Sequence, residues 1–441
     1  MKRFSLLAFI FMLIVAMSSI VLAADYDFDG RTVRVQGHHM REERLFDNPE
    51  WAAHLEDIQS EFNVKLEFLD VRVGDTADYI RESVIAGDAD GLWILSAGEG
   101  VELALDGFLL PLEGFESETT YWDTILDPEV LEVRGTKFFF APLADKTVEI
   151  LNPDVPFWGV PFFGIYWNKT LFEEQGLPDL QEIYERGDWN WDTFLEVAID
   201  GTRDTTGDGE IDQYGFVSHN WWGIQEKDWF VVNNAPLIRD EDGRMVYGLD
   251  HPAAIETWEF LNEMHELGVA STQHGRWGFN AFVDEEAVMV STNPWGASGF
   301  PNQEFDYGFV PMPKGPSAEE YVAPSYQIWR WAIPVTTRED PEALMALHSA
   351  LFMTSDDAYP FDQIDEELFN SFGMRVNDME TLENLLFAQR NLAIEMEEEN
   401  NYFGFGLREV MNEILDGAGI AATVDSYREA AQMRLDDVFN Q

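Results

Sequence analysis

The sequence predicts an α/β protein of two lobes, each a mainly parallel sheet flanked by helices. Three observations carry this. Short apolar or alternating strands are separated by amphipathic helices. The same alternation starts afresh near residue 164. At 441 residues, the chain has room for two to four domains of roughly 100–200 residues.

The elements follow in order. Lys2 and Arg3, the apolar run Phe4–Ile20 and the small-residue pattern Val21-Leu22-Ala23 read as a signal peptide over residues 1–23. Thr32–Gln36 alternates like a half-buried strand. Asn48-Pro49 opens a helix whose Trp51, Leu55, Ile58 and Phe62 share one face. Val64, Leu66 and Phe68 alternate as a second strand. Asp75 or Asp78 caps a helix carrying Tyr79, Ile80, Val84 and Ile85, which stops at Gly87. Leu92–Leu95 is a third, wholly apolar strand, and a helix through Val101, Leu103 and Leu105 ends at Gly107. Apolar strands alternating with helices argue for a parallel, doubly wound sheet. The second lobe opens with the strand Gly164–Trp167 and continues with a helix bearing Trp191, Phe194, Leu195 and Ala198. Asp340-Pro341 starts a helix with Leu344, Leu347 and Leu351, and helices dominate from about residue 362.

Composition narrows the partners. An apolar fraction of 46% makes the chain globular despite 83 acidic against 27 basic residues and a formal charge of −56. Such a field repels phosphates, so nucleic acid is excluded and an anionic membrane surface is disfavoured. Only seven of the basic residues are Lys, a balance that suits either a saline medium, where repulsion is screened within about 8 Å or less, or an ordinary acidic exported protein. Cysteine is absent, which removes disulfides, thiolate metal sites, Cys nucleophiles and a lipid-bearing N-terminal Cys.

Two motifs stand out. In Asp204-Thr205-Thr206-Gly207-Asp208-Gly209-Glu210-Ile211-Asp212, oxygen-bearing side chains at Asp204, Thr206, Asp208 and Asp212 surround a turn-permitting Gly209, with Glu210 beside them. That is the front half of a calcium-binding EF-hand loop. Thr206 replaces the usual Asp or Asn, and Gly215 stands where the bidentate Glu belongs, so the choice lies between a structural Ca²⁺ site and an Asp/Gly-rich surface turn. The second motif is aromatic: 15 Trp, 13 Tyr and 33 Phe. Sugar rings stack their apolar C–H faces on such rings, and Trp222, Trp229, Trp295, Tyr326, Trp329 and Trp331 lie beside turn residues. Core packing explains most single rings; as a group, some line a cleft. No HExxH, GxSxG, Walker or GxGxxG pattern occurs, and carboxylate pairs are too abundant to diagnose glycoside hydrolysis.

In order along the chain, Ile85–Trp93, Asp106–Leu112, Gly159-Val160-Pro161 with Tyr166–Phe172, Asp188–Phe194, Ala287–Trp295 and Tyr307–Pro313 resemble segments of the extracellular solute-binding proteins that deliver sugars to ABC importers. The resemblance covers nearly the whole mature chain. It implies the two-lobe periplasmic-binding-protein fold with a hinge of crossing segments, a ligand held between the lobes and closure on binding. The lobes would be 24–160 plus 323–371 and 161–322 plus 372–441. The resemblance also implies that Trp295 stacks on the ligand, that Ser96, Gly98 and Glu99 face it after the third strand, and that His38, His39 and Arg41 do so after the first. Tyr402 and Phe403 occupy a helix start that contributes a stacking ring. The expected function is capture of a neutral oligosaccharide and its delivery to a membrane permease. The protein would be a monomeric, non-enzymatic periplasmic receptor needing no cofactor beyond structural calcium. The competing readings are a secreted calcium-stabilised glycoside hydrolase and an importer component for a cationic or peptide ligand.

Overall fold

The computed structural model describes residues 26–37, 49–71, 75–115, 132–133, 135–140, 162–219, 225–270, 277–294, 296–325, 329–352, 376, 378–393 and 406–439. The chain folds as two compact units, Met1–Gly159 with Ile328–Ile364 and Val160–Gln327 with Asp365–Gln441. The sequence placed the divisions after 160, 322 and 371; in the structure they fall after 159, 327 and 364.

The first unit opens with β1 (Thr32–Gly37), α1 (Pro49–Glu61), β2 (Lys65–Asp70), α2 (Thr76–Ala86), β3 (Leu92–Ser96) and α3 (Ala97–Leu105), followed by the short hairpin β4 (Glu132–Val133) and β5 (Thr136–Lys137). Strands β2 and β3 flank β1, and both pairings are parallel. The central β3 is buried at every position from Leu92 to Leu95, whereas the edge strand β2 buries only Phe68; this is why one reads as a continuous apolar run and the other alternates. Leu55, Ile58 and Phe62 are buried from α1 and the turn after it. Helix α2 departs from expectation. Thr76, Ala77 and Ile80 form its buried face, while Tyr79 and Ile85 are exposed. Five residues rotate a helix by about 140°, which carries Ile85 away from Ile80. Gly87 ends α2 in the left-handed region, at φ 71°.

The second unit contains β6 (Gly164–Asn168), α4 (Lys169–Gln175), α5 (Leu180–Glu185), α6 (Trp191–Gly201), β7 (Tyr214–Ser218), α7 (Glu226–Val232), β8 (Ile238–Glu241), β9 (Arg244–Tyr247), α8 (Pro252–Glu266), α9 (Gly278–Val283), β10 (Ala287–Thr292), β11 (Tyr307–Val310) and β12 (Ala323–Pro324). Its sheet runs β11-β6-β10-β7. β10 lies parallel to β7, as a helical crossover requires. β6 runs antiparallel to both its neighbours, so this sheet is mixed where the sequence suggested a mainly parallel one. The inversion has a consequence: the carboxyl ends of β7, β10 and β11 share one edge with the amino end of β6. Polar caps fix the helix starts. Asn168 Oδ1 accepts the Leu171 N–H at 2.9 Å, and Asn190 Oδ1 accepts those of Asp192 and Thr193 at 3.0 and 3.2 Å.

The chain then returns to the first unit as β13 (Trp329–Ala332), antiparallel to β3, and α10 (Pro341–Phe352). It finishes in the second unit as α11 (Met379–Arg390), β14 (Leu392–Ala393), α12 (Leu407–Leu415) and α13 (Ile420–Val438). Lys169 and Asp378 pair at 2.8 Å at the start of α11, and the Tyr247 hydroxyl donates to Val424 O at 2.9 Å to fasten α13. Among the described residues no helix is long and apolar enough to cross a membrane.

Candidate functional site

The carboxyl ends of strands in an open α/β sheet are where ligands bind, because loops there can converge while the sheet holds them. In the second unit this edge gathers a distinct cluster. His219 directly follows β7 and is buried, with its Nδ1 2.6 Å from Thr292 Oγ1 at the end of β10. Burial pulls the His219 imidazole down to about 4, so it is neutral at physiological pH. Phe163, just before β6, and Trp277, just before α9, set their rings edge-on to it at 5.6 and 5.2 Å. Phe279 lies 5.3 Å from His219, and its ring is within 16° of parallel to that of Trp277 at 5.8 Å. Trp277 and Phe279 are half-buried.

The backbone around this cluster is tightly fitted. Gly278 donates its N–H to His219 O at 3.0 Å, and a Cβ at Gly278 would lie 1.8 Å from Ser218 O. After β10, Asn293 Oδ1 accepts the Gly296 N–H at 3.0 Å. A Cβ at Gly296 would meet Thr292 Oγ1 at 2.2 Å, Phe279 at 3.0 Å and His219 Nδ1 at 3.1 Å. Trp295 itself is outside the described residues, yet its neighbour Gly296 packs on this cluster. Sequence reading missed His219, Trp277, Phe279 and Asn293. Their common signal, a polar or aromatic residue at the end of a strand or the start of the following helix, was available but was applied only to the first unit.

At the matching edge of the first unit stand three expected residues. Ser96 ends β3, and Gly98 and Glu99 lie in the first turn of α3. Ser96 donates from its N–H and hydroxyl to Glu99 Oε2 at 3.2 and 2.7 Å, so this carboxylate also caps α3. All three are partly exposed. β13 pairs Trp329 with Ser96 across the strands. His38, His39, Arg41, Trp222, Tyr326, Tyr402 and Phe403 lie outside the described residues, as does the signal segment 1–23.

Trp229 requires a correction. It sits on the buried side of α7 at 1% exposure, with Phe194, Phe260, Phe216 and Trp191 at 5.0, 5.2, 5.8 and 6.2 Å. Its ring is core packing and offers no face to a ligand. Proximity to a turn misled, because α7 is a short helix in which Glu226 and every residue from Asp228 to Val232 are buried.

The Asp204–Asp212 loop is held by its own hydrogen bonds. Asp204 accepts N–H groups of Gly209, Gly207 and Asp208 at 2.7, 2.6 and 3.2 Å, while Asp212 accepts those of Thr205 and Thr206 at 2.8 and 3.1 Å. These bonds, led for Asp204 by Gly209 and for Asp212 by Thr205, hold both carboxyls below the usual carboxylate range. Among the described residues no group of three or more His, Asp or Glu side chains gathers that could hold a metal ion, and Asp204 and Asp212, expected as ligands with Thr206, Asp208 and Glu210, direct their oxygens at the loop's own N–H groups. The missing twelfth ligand has a structural reason. Gly215 lies inside β7, where a Cβ would approach Ala198 O to 1.9 Å, and no Glu side chain fits there.

Behind the strand-end cluster lies a buried charged group. Glu226, in the first turn of α7, pairs with Arg408 at 2.8 Å, and Asp228 accepts from Gln225 Nε2 at 3.2 Å. Burial pushes Glu226 up to about 7, opposed by Arg408, and raises Asp228 as well. Gln225 is tied to β7 through its N–H to Ser218 Oγ at 3.2 Å, and Lys227 Nζ donates to Ser325 O at 2.8 Å.

Residues 51–359 match the family described as bacterial extracellular solute-binding protein. No protein of curated function matches the chain. Solved structures share the fold at low identity. The GacH receptor of Streptomyces glaucescens, solved unliganded and with acarbose, has a TM-score of 0.63 at 14% identity, covering 93% of this chain and 99% of that one. The substrate-binding protein Lmo0181 of Listeria monocytogenes, in complex with cycloalternan, has a TM-score of 0.60 at 12% identity, covering 92% and 98%. The maltose/maltodextrin-binding domain MalE of Bdellovibrio bacteriovorus, bound to maltotriose, has a TM-score of 0.56 at 13% identity, covering 92% and 98%.

Proposed function

The chain belongs to the bacterial extracellular solute-binding protein family, and from that premise we propose that it captures a neutral oligosaccharide and hands it to the permease of an ABC transporter. The observation that carries the choice of ligand is the strand-end cluster of the second unit. In a chain of formal charge −56, the described part of this edge presents the half-buried rings of Trp277 and Phe279, backed by the buried neutral imidazole of His219 and the buried, uncharged Ser218, Thr292 and Asn293. Rings stack on the C–H faces of sugars. The oligosaccharides bound by the similar structures support the same reading.

Trp295 is the stacking ring expected of the second unit, and Ser96, Gly98 and Glu99 are the polar residues expected at the strand ends of the first. The protein is a receptor and performs no chemistry on its ligand. It works in the periplasm as a monomer, exported by the signal over residues 1–23 and carrying no Cys for lipid attachment. A thermal-shift screen of the mature protein across neutral sugars, polyols, amines and peptides tests this. Stabilisation by a neutral oligosaccharide is expected, and stabilisation confined to amines or peptides would overturn it. Mutation of Trp295 to Ala should weaken that binding about tenfold, or about 1.4 kcal/mol.

A further inference from the structure

We infer that Glu226 and Asp228 form a proton-operated latch that seats the first turn of α7: Arg408 balances the charge of Glu226, and one proton on Asp228 keeps the second carboxyl neutral. The inference holds whichever solute the protein binds.

Three observations lead there. Both carboxyls are shut away from water, Glu226 at 6% and Asp228 at 0% exposure, two residues apart at the start of one helix. They are unequally partnered. Arg408 Nε stands 2.8 Å from Glu226 Oε1, whereas Asp228 Oδ1 accepts from Gln225 Nε2 at 3.2 Å and its Oδ2 has no hydrogen-bond partner among the described residues. The same turn is also tied on both sides. The Gln225 N–H donates to Ser218 Oγ at the end of β7 at 3.2 Å, and Lys227 Nζ donates to Ser325 O just past β12 at 2.8 Å. The chain passes to the first unit after Gln327, so this turn holds the segment that leads to the crossing.

The elements packed on α7 are α8, α12 and β12. The buried face of α8 is uncharged, and its His265, held below the usual imidazole range by burial and then by Arg408, stays neutral. β12 brings Ala323 and Pro324, and α12 brings Arg408. On α7 itself, Lys227 attracts the Asp228 charge and Glu226 repels it. An ionised carboxylate with an unpartnered oxygen in a dry interior is costly, so the neutral acid is the stable form at Asp228. Burial raises both carboxyls, opposed at Glu226 by Arg408 and at Asp228 by Lys227. The seated turn therefore keeps a proton that a solvated carboxyl has already released. The latch is closed at lower pH and opens as pH rises through about 7. Once the proton leaves, two negative charges face Arg408. Solvating Asp228 then requires the first turn of α7 to lift, which lets go of Ser218 and Ser325.

The test is hydrogen exchange followed by mass spectrometry on the mature full chain without solute, at about pH 6 and about pH 8.5, with rates corrected for the intrinsic effect of pH. In the wild type, peptides covering α7 and β12 are expected to lose protection about tenfold or more at the higher pH, while those covering α13 keep theirs. Asp228→Asn, which copies the neutral acid, should keep α7 protected at both. A second measurement needs no variant. Infrared spectra of the wild type with carbon-13-labelled aspartate should show a protonated aspartate carbonyl at about pH 6 that is gone at about pH 8.5. Equal protection of α7 at the two pH values in the wild type would overturn the latch. So would an equal loss in Asp228→Asn, or the absence of a protonated aspartate at about pH 6.

Discussion

Replacing Trp229 with Ala separates core from ligand-binding rings without any knowledge of the ligand. The side chain is 1% exposed and has four aromatic neighbours between 5.0 and 6.2 Å. Burying a ring of this size removes about 150–250 Å² from water, worth roughly 4–6 kcal/mol at about 25 cal/mol per Å². Extended-chain areas are upper bounds, and Trp→Ala changes in cores cost about 3–5 kcal/mol, so about 4 kcal/mol is expected. For a unit of roughly 150–250 residues, each kcal/mol moves Tm by about 2–4 °C. Differential scanning calorimetry of the unliganded protein should therefore show the second unit melting roughly 8–16 °C lower, with Trp229→Phe recovering part of the loss. At a temperature where the variant remains folded, its sugar affinity should equal that of the wild type. An unchanged Tm combined with weakened binding would refute the core assignment and return Trp229 to the ligand.

Three other outcomes follow from the same geometry. Gly278→Ala forces a Cβ to 1.8 Å from Ser218 O and displaces the 3.0 Å bond to His219 O, an overpacking and hydrogen-bond loss of about 2–4 kcal/mol; urea unfolding of the second unit should move to a lower midpoint. Burial raises Glu226 to about 7 and raises Asp228. The native state then keeps protons that the unfolded chain has already released, so this contribution is full below the ordinary carboxyl range near about 4 and is lost as pH rises through about 7. Asp228→Asn removes one titration, and its stability relative to the wild type should improve between pH 5 and pH 8 when melting is followed at each pH. The Asp204–Asp212 loop closes on its own N–H groups, so millimolar calcium should leave Tm unchanged, while Asp204→Ala should open the loop to protease cleavage; a calcium-dependent rise in Tm would restore the cage.

Much of the architecture was legible because burial writes itself into periodicity. Val33 and Val35, Leu92–Leu95, and Phe194 with Ala198 are buried where alternation, a continuous run and a helical face placed them. Strand direction in the second sheet was not legible. Gly164–Trp167 reads the same whether β6 runs with or against β10, and only the pairing of Thr292 with Gly164 decides it. The candidate site divided for a similar reason. Ser96 and Glu99 entered only through the family resemblance, and the structure shows Glu99 capping the helix that Ser96 starts. Trp277 and Phe279 escaped because their meaning depends on His219, more than fifty residues earlier, meeting them through a long-range contact. Trp229 misled for the opposite reason: a local pattern was present, but the partners of the ring lay in the core.

The central claim, that this family member is a receptor for a neutral oligosaccharide, is tested most directly by titrating the mature protein with a series of neutral oligosaccharides in a calorimeter and recovering the sugar afterwards. The account predicts saturable binding of at least one sugar, one per chain, with the sugar recovered intact. Release of shorter sugars would point to hydrolysis, and heat-silent titrations alongside tight binding of a cationic or peptide solute would contradict the account.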